Sequence, residues 1–354
     1  MEIPSTDPAL LCGQAVLTAR GGDTRVGLQL AQRAYRLARA DGDPRTLMLA
    51  LNAMALCQLT AGRNIEAAST AIDAFRLAEK LDNRLGAMHA LTTLLGASNH
   101  MYDSLSDTLG MLERALAIAR EEGDLALVVR VHNAWGVALG LMGHQEEADV
   151  ELVKALELAP MTDRSTPPSM IVTNRAYMAV TWARAHPADA QAVDLARSRL
   201  DDALRVADEE ESNEARIRAR YCLGMFRHDQ KDLTGAVEAL ESAIQLAVTM
   251  HHHTRSVDAR LELVPIQLAL EDITAAFGTL DAACMEADLI RPSRQLQVVC
   301  AQLADLHARQ GDAAKSDEWR RRAETETASF AQERAAAASE INAFWAELER
   351  YWPA

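Results

Sequence analysis

Three consecutive histidines, His251-His252-His253, are the side chains in this sequence that most suggest metal chemistry. Imidazoles bind transition metals, and His228 lies upstream as a further ligand candidate. Consecutive residues on a helix or turn point in different directions, however, and do not converge on one ion. The run also falls between two helical segments, where a solvated loop is expected. No metal is therefore expected. The five cysteines, Cys12, Cys57, Cys222, Cys284 and Cys300, are far apart and never spaced C-x-x-C. Most fall inside helical segments, which reads as buried free thiols in a reducing compartment. Phosphate-loop, zinc-protease, nucleophile-elbow and zinc-finger spacings are missing, so neither a catalytic constellation nor a cofactor is expected.

Binding residues need elements to position them, and the composition says what those elements are. Alanine and leucine dominate, aromatics make up 4% of the 354 residues, and no alternating β-branched pattern occurs. That is a helical composition. The formal net charge of -15 repels a phosphate backbone, so nucleic acid is not an expected partner. No apolar run is long enough to cross a bilayer, and the N-terminal MEIPSTDPALL does not resemble a secretory signal. A cytoplasmic protein is expected.

A motif returns about every forty residues. Its clearest copy runs from Val131 to Pro160, with a small residue at Gly136, a turn glycine at Gly143, then Ala148, Ala155-Leu156 and Pro160. Eight helix pairs follow, from 8–20 with 24–41 to 293–310 with 312–352. The turns carry Gly, Asp and Asn, as at Gly62-Arg63, Asp82-Asn83, Gly123-Asp124 and Gly311-Asp312, which close one helix and cap the next. The stretch 160–168 breaks the rhythm. It reads either as a hinge or as a longer surface loop.

These residues resemble the tetratricopeptide repeat (TPR), in the longer form of bacterial signalling and regulator arrays. A large residue followed by a small one recurs in first helices as Met54-Ala55, Leu95-Gly96, Trp135-Gly136 and Leu223-Gly224. An alanine and then an Ala-Leu-type pair recur in second helices as Ala67 with Ala74-Phe75, Ala148 with Ala155-Leu156, and Ala236 with Ala243-Ile244. The resemblance implies an all-α, right-handed α-α superhelix (solenoid) of about eight TPR-like hairpins with a long C-terminal helix. The expected layout is an array over 1–325 and a contact element over 326–354. Gly21-Gly22-Asp23 shares three residues with the GGDEF signature of diguanylate cyclases but lies on a repeat turn and lacks its acidic-aromatic ending.

In this family first helices line the concave groove. Counting from the turn glycines puts Leu49, Asn52, Leu56 and Leu59 inward in repeat two, and Ala90, Thr93, Ala97 and His100 in repeat three. Repeat four presents Arg130, Asn133, Val137 and Leu141, and repeat six presents Arg218, Tyr221, Met225 and His228. Asn52 and Asn133 occupy the same position in two repeats. Their amides suit either the backbone of an extended peptide or hydrogen bonds between helices. Arg130 and Arg218 suit carboxylates. Asn174 is a third candidate asparagine.

The C-terminal end carries an apolar stripe through Ile341, Phe344, Trp345, Leu348, Tyr351 and Trp352. A stripe of this size needs a partner surface. It caps the terminal repeats, forms a homodimer seam, or docks on another partner or in the groove. The expected function is a non-enzymatic TPR scaffold that binds a peptide or protein segment in bacterial signalling or regulation. An oligomeric assembly protein using the aromatic tail, or a small-molecule-sensing module, are the alternatives.

Overall fold

The computed structural model describes residues 6–21, 23–98, 105–162, 167–290 and 293–351. Among these residues the chain forms sixteen α-helices and no strand. They are α1 (Pro8–Arg20), α2 (Thr24–Asp41), α3 (Pro44–Thr60), α4 (Asn64–Lys80), α5 (Arg84–Ser98), α6 (Leu105–Glu121), α7 (Leu125–Leu141) and α8 (Gln145–Leu158). Then come α9 (Pro168–Ala185), α10 (Ala190–Glu209), α11 (Asn213–Asp229), α12 (Leu233–Thr249), α13 (His253–Ala269), α14 (Ile273–Ala287), α15 (Arg294–Arg309) and α16 (Ala313–Tyr351). Odd-numbered helices are the first of each pair; α1, α3, α5, α7, α11 and α13 pack on their own second helices, and α1 with α3, α3 with α5, α5 with α7, α11 with α13 and α13 with α15 are contacts between successive first helices.

Local chemistry sets the boundaries. Asp23, Asp43, Asp124, Asp189, Asp232 and Asp272 each accept hydrogen bonds from backbone N–H groups of the first helical turn. These caps satisfy donors that have no partner inside the helix. Within hairpins, the turns between paired helices place Gly62, Gly143, Lys231, Glu271 and Gly311 in the left-handed region. Glycine enters that region without steric cost, whereas Lys231 and Glu271 do not.

The chain divides into two compact units, residues 1–178 with 334–354, and residues 179–333. In the first, α3 to α7 enclose a core that includes Met48, Ile72, Phe75, Leu91, Leu95 and Leu112. In the second, Leu280, Leu296, Val299 and Leu303 belong to one buried cluster, and Leu240, Leu263 and Ile266 to another. Both units depend on small residues where paired helices cross. A Cβ on Gly136 would overlap Leu152 of α8 and come within 2.9 Å of the Ala148 carbonyl oxygen. A Cβ on Gly224 would overlap Leu240 of α12. The large-small pairs therefore let backbones approach.

Candidate functional site

The first helices of the first unit share a row of partly exposed side chains. Leu49 and Asn52 on α3, His89 and Thr92 on α5, and Arg130, Asn133 and Val137 on α7 form it. Asn52, Thr92, Asn133 and Asn174 recur at intervals of 40 or 41 residues, one per repeat. Hydrogen bonds run from each first helix to the next. Asn52 Nδ2 donates to the Gly86 carbonyl at 3.1 Å. Arg130 Nη2 lies 2.9 Å from His89 Nδ1, and since a guanidinium can only donate, that ring nitrogen accepts. Asn174 Nδ2 donates to Asn133 Oδ1 at 2.8 Å.

The asparagines thus bond between helices, yet not with their full capacity. Asn52 Oδ1 and Asn174 Oδ1 are buried and make no hydrogen bond among the described residues. A buried amide oxygen without a donor is costly, and an incoming N–H group would offset that cost. Leu49 and Leu141 flank the row, each 45% exposed, and offer apolar surface beside the amides.

Repeat three departs from the expected register. Ala90, Thr93 and Ala97 are buried in the core, whereas His89, Thr92 and Gly96, each one residue earlier, reach the surface. The forty-residue spacing from Leu49, Asn52 and Leu56 would have found them. His100 lies outside the described residues. In the second unit, Arg218 and Tyr221 are partly buried on α11 and Met225 is buried.

The second unit holds ionic groups that sequence reasoning missed. His252 does not sit in a solvated loop, as expected. It occupies the residue before α13, is 4% exposed, and places Nε2 2.8 Å from Glu214 Oε2. Burial opposes ionisation of Glu214, but the charges of His252, Arg255 and Arg218 outweigh it and hold the carboxyl well below its ordinary range. His253 faces Glu286 instead, at 3.7 Å, so neighbouring imidazoles serve different carboxylates. Arg184 spans Asp229 at 2.8 Å and Glu262 at 2.6 Å, tying α9, α11 and α13 together. No group of three or more His, Cys, Asp or Glu fit to hold a metal occurs among the described residues.

All five thiols are free and buried. Burial pushes Cys12 and Cys222 up to about 11 and Cys57 up to about 12. Cys284 differs, because a hydrogen bond with Cys300 outweighs burial and lowers it to about 7. These two cysteines, sixteen residues apart in sequence, therefore meet between α14 and α15.

The C-terminal stripe packs inside the first unit. Ala337, Ile341, Phe344 and Leu348 are buried in the core that contains α4. Phe344 meets Phe75 edge to face with ring centroids 5.0 Å apart, and Trp345 packs on the margin. Ser69 donates to Glu340 at 3.4 Å, and Arg76 donates through Nε and Nη2 to Glu347 at 3.2 and 2.9 Å. Tyr351 ends the helix, and Trp352 lies outside the described residues.

Among the described residues no helix is long and apolar enough to cross a membrane. No protein-family model matches the sequence, and no curated protein matches it either. Solved structures do match. NprR in complex with its cognate peptide NprX has a TM-score of 0.60 at 13% identity, over 83% of this chain and 81% of that one. A Rap protein complexed with Competence and Sporulation Factor has a TM-score of 0.57 at 13% identity, over 92% and 99%. The Rap conjugation gene regulator of plasmid pLS20, in complex with the Phr* peptide, has a TM-score of 0.54 at 13% identity, over 94% and 98%. At such identities the likeness is one of fold: all-α helical hairpins of the tetratricopeptide type.

Proposed function

We propose that this TPR-type array is a non-enzymatic scaffold that binds an extended peptide along the first helices of its first unit, in a bacterial signalling or regulatory role. The observation that carries the reading is the repeated row of Asn52, Thr92, Asn133 and Asn174, with buried amide oxygens at Asn52 and Asn174 that lack donors. An extended peptide presents an N–H group at every residue. Amides at fixed intervals suit that main chain, and Arg130 beside them suits an acidic side chain or a C-terminal carboxylate. Leu49, Val137 and Leu141 supply apolar contact. Two of the similar folds are described as holding a peptide, which supports the reading by analogy.

The test is selection of binders from a random peptide library with the full chain, followed by fluorescence anisotropy with the selected peptides. Asn133→Asp and Arg130→Glu are each expected to weaken binding by about tenfold or more, or about 1.4 kcal/mol. Both variants keep the helices, which circular dichroism checks. Peptides that bind wild type and Arg130→Glu equally would remove this face from consideration.

A further inference from the structure

Two thiols of the second unit are placed to react with each other. Cys284 lies near the end of α14 and Cys300 in the first half of α15, and both belong to the buried cluster around Leu280, Leu296 and Leu303. Their side chains share a hydrogen bond where the two helices pack. Cys284 is 6% exposed and Cys300 not at all, so a small solute meets Cys284 first. A cation stands near both sulfurs. Arg322 of α16 acts on each of them, and its guanidinium is held in place. It donates through Nη2 to both oxygens of Asp288 at 2.9 Å and lies 5.3 Å from the centre of the Trp319 ring. Asp288 and Asp281 oppose its charge at Cys284, and Glu326 opposes it at Cys300.

We propose that Cys284 and Cys300 form a redox site, in which hydrogen peroxide oxidises Cys284 and Cys300 resolves the product to a reversible disulfide. The Cys284 thiolate attacks one peroxide oxygen and the O–O bond breaks. The departing hydroxide takes up the proton that the thiol had released, which gives water and a sulfenic acid on Cys284. The Cys300 sulfur then attacks the Cys284 sulfur, and the S–O bond breaks. The hydroxyl leaves with the Cys300 proton as a second water. Two thiols lose two electrons, and one peroxide becomes two waters.

The surroundings divide the roles. Cys300 donates the shared hydrogen bond, which stabilises the Cys284 thiolate against burial and holds that thiol at about 7. The same bond, and then burial, push Cys300 up, so it keeps its proton until the second step. With the resolving thiol already in hydrogen-bond reach, closure competes with further oxidation. Cys12 is the comparison within the chain. It is 7% exposed, much as Cys284 is, and Cys57 lies near it. Burial and the Asp7 carboxylate push Cys12 up to about 11, however, and the Cys57 thiol donates to the Ala15 carbonyl at 3.6 Å. Exposure alone therefore does not select a reactive thiol.

The experiment treats the reduced full chain with a small excess of hydrogen peroxide, unfolds it in iodoacetamide and maps the thiols by mass spectrometry. A single linkage between Cys284 and Cys300 is expected, lost on adding dithiothreitol, with Cys12, Cys57 and Cys222 alkylated. In Cys300→Ser, Cys284 should stop at the sulfenic acid and be trapped by dimedone. In Cys284→Ser, Cys300 should stay unoxidised. Arg322→Gln is expected to slow linkage about tenfold, and Arg322→Lys to restore much of the rate. Circular dichroism checks that the variants fold, and the map of the unmodified chain decides the matter without them. Recovery of Cys284 and Cys300 as free thiols, or oxidation of Cys284 no faster than that of Cys12, would overturn the proposal. So would a sulfinic acid at Cys284 with no linkage. These readouts do not involve the peptide face, so the two readings stand or fall separately.

Discussion

Two opposing terms meet at Gly136. Alanine is favoured over glycine in a helix by about 1 kcal/mol. Its Cβ, however, would overlap Leu152 and press on the Ala148 carbonyl, and neither a 1% exposed leucine nor backbone can move freely. Overpacking of this kind costs about 1–3 kcal/mol, so Gly136→Ala should be destabilising by urea denaturation. Glu214 is a second residue with a measurable signature. Because its folded pKa lies below its unfolded value of about 4.3, its contribution is complete above that pH. The contribution is lost as pH falls through the depressed folded value. Glu214→Gln should therefore cost about 3 kcal/mol at pH 7, and the gap to wild type should narrow in acid. Melts at pH 7 and pH 3.5 check this, and a gap that stays constant would contradict it. Gly136 was legible in the sequence, since a large-small pair announces a close crossing. The Glu214–His252 pair was not. The partners lie in adjacent repeats, and nothing beside the histidine run shows that a carboxylate from the previous first helix reaches it.

Helices and turns were the most legible elements, because capping aspartates and turn glycines are local signals. The face of α5 was not legible. Nearly all of its residues from Gly86 to Ser98 are small or apolar and buried, so no polar stripe marks an outside, and the register slipped by one. Turn chemistry yields its own prediction. Glu271 holds a φ of 61° where Gly143 and Gly311 hold 86° and 77° in equivalent turns. A side chain in that region costs about 1–2 kcal/mol, part of which glycine returns through a freer unfolded chain. Glu271→Gly is expected to stabilise the second unit by about 0.5 kcal/mol, read as a higher melting temperature.

At the scale of the whole chain, each unit has buried clusters of its own, and a core of the first includes side chains of the C-terminal end of α16. Truncating Phe344, which is 1% exposed and packed on Phe75, should cost the first unit about 3–4 kcal/mol. Urea unfolding of Phe344→Ala should then separate into two steps, the earlier one belonging to α3–α7. The stripe itself could be read in the sequence, but its destination could not, since α4 lies 271 residues away. The stretch 324–336 of α16, which has no buried side chain, carries a different kind of consequence. It includes several alanines, whose helix propensity is high, and an i,i+4 contact of Ser329 with Glu333. On warming it should lose ellipticity gradually, like a free peptide, before either cooperative transition begins. A sloping far-ultraviolet baseline in the native range, flattened when alanines replace Thr325, Thr327 and Ser329, would be its thermal trace.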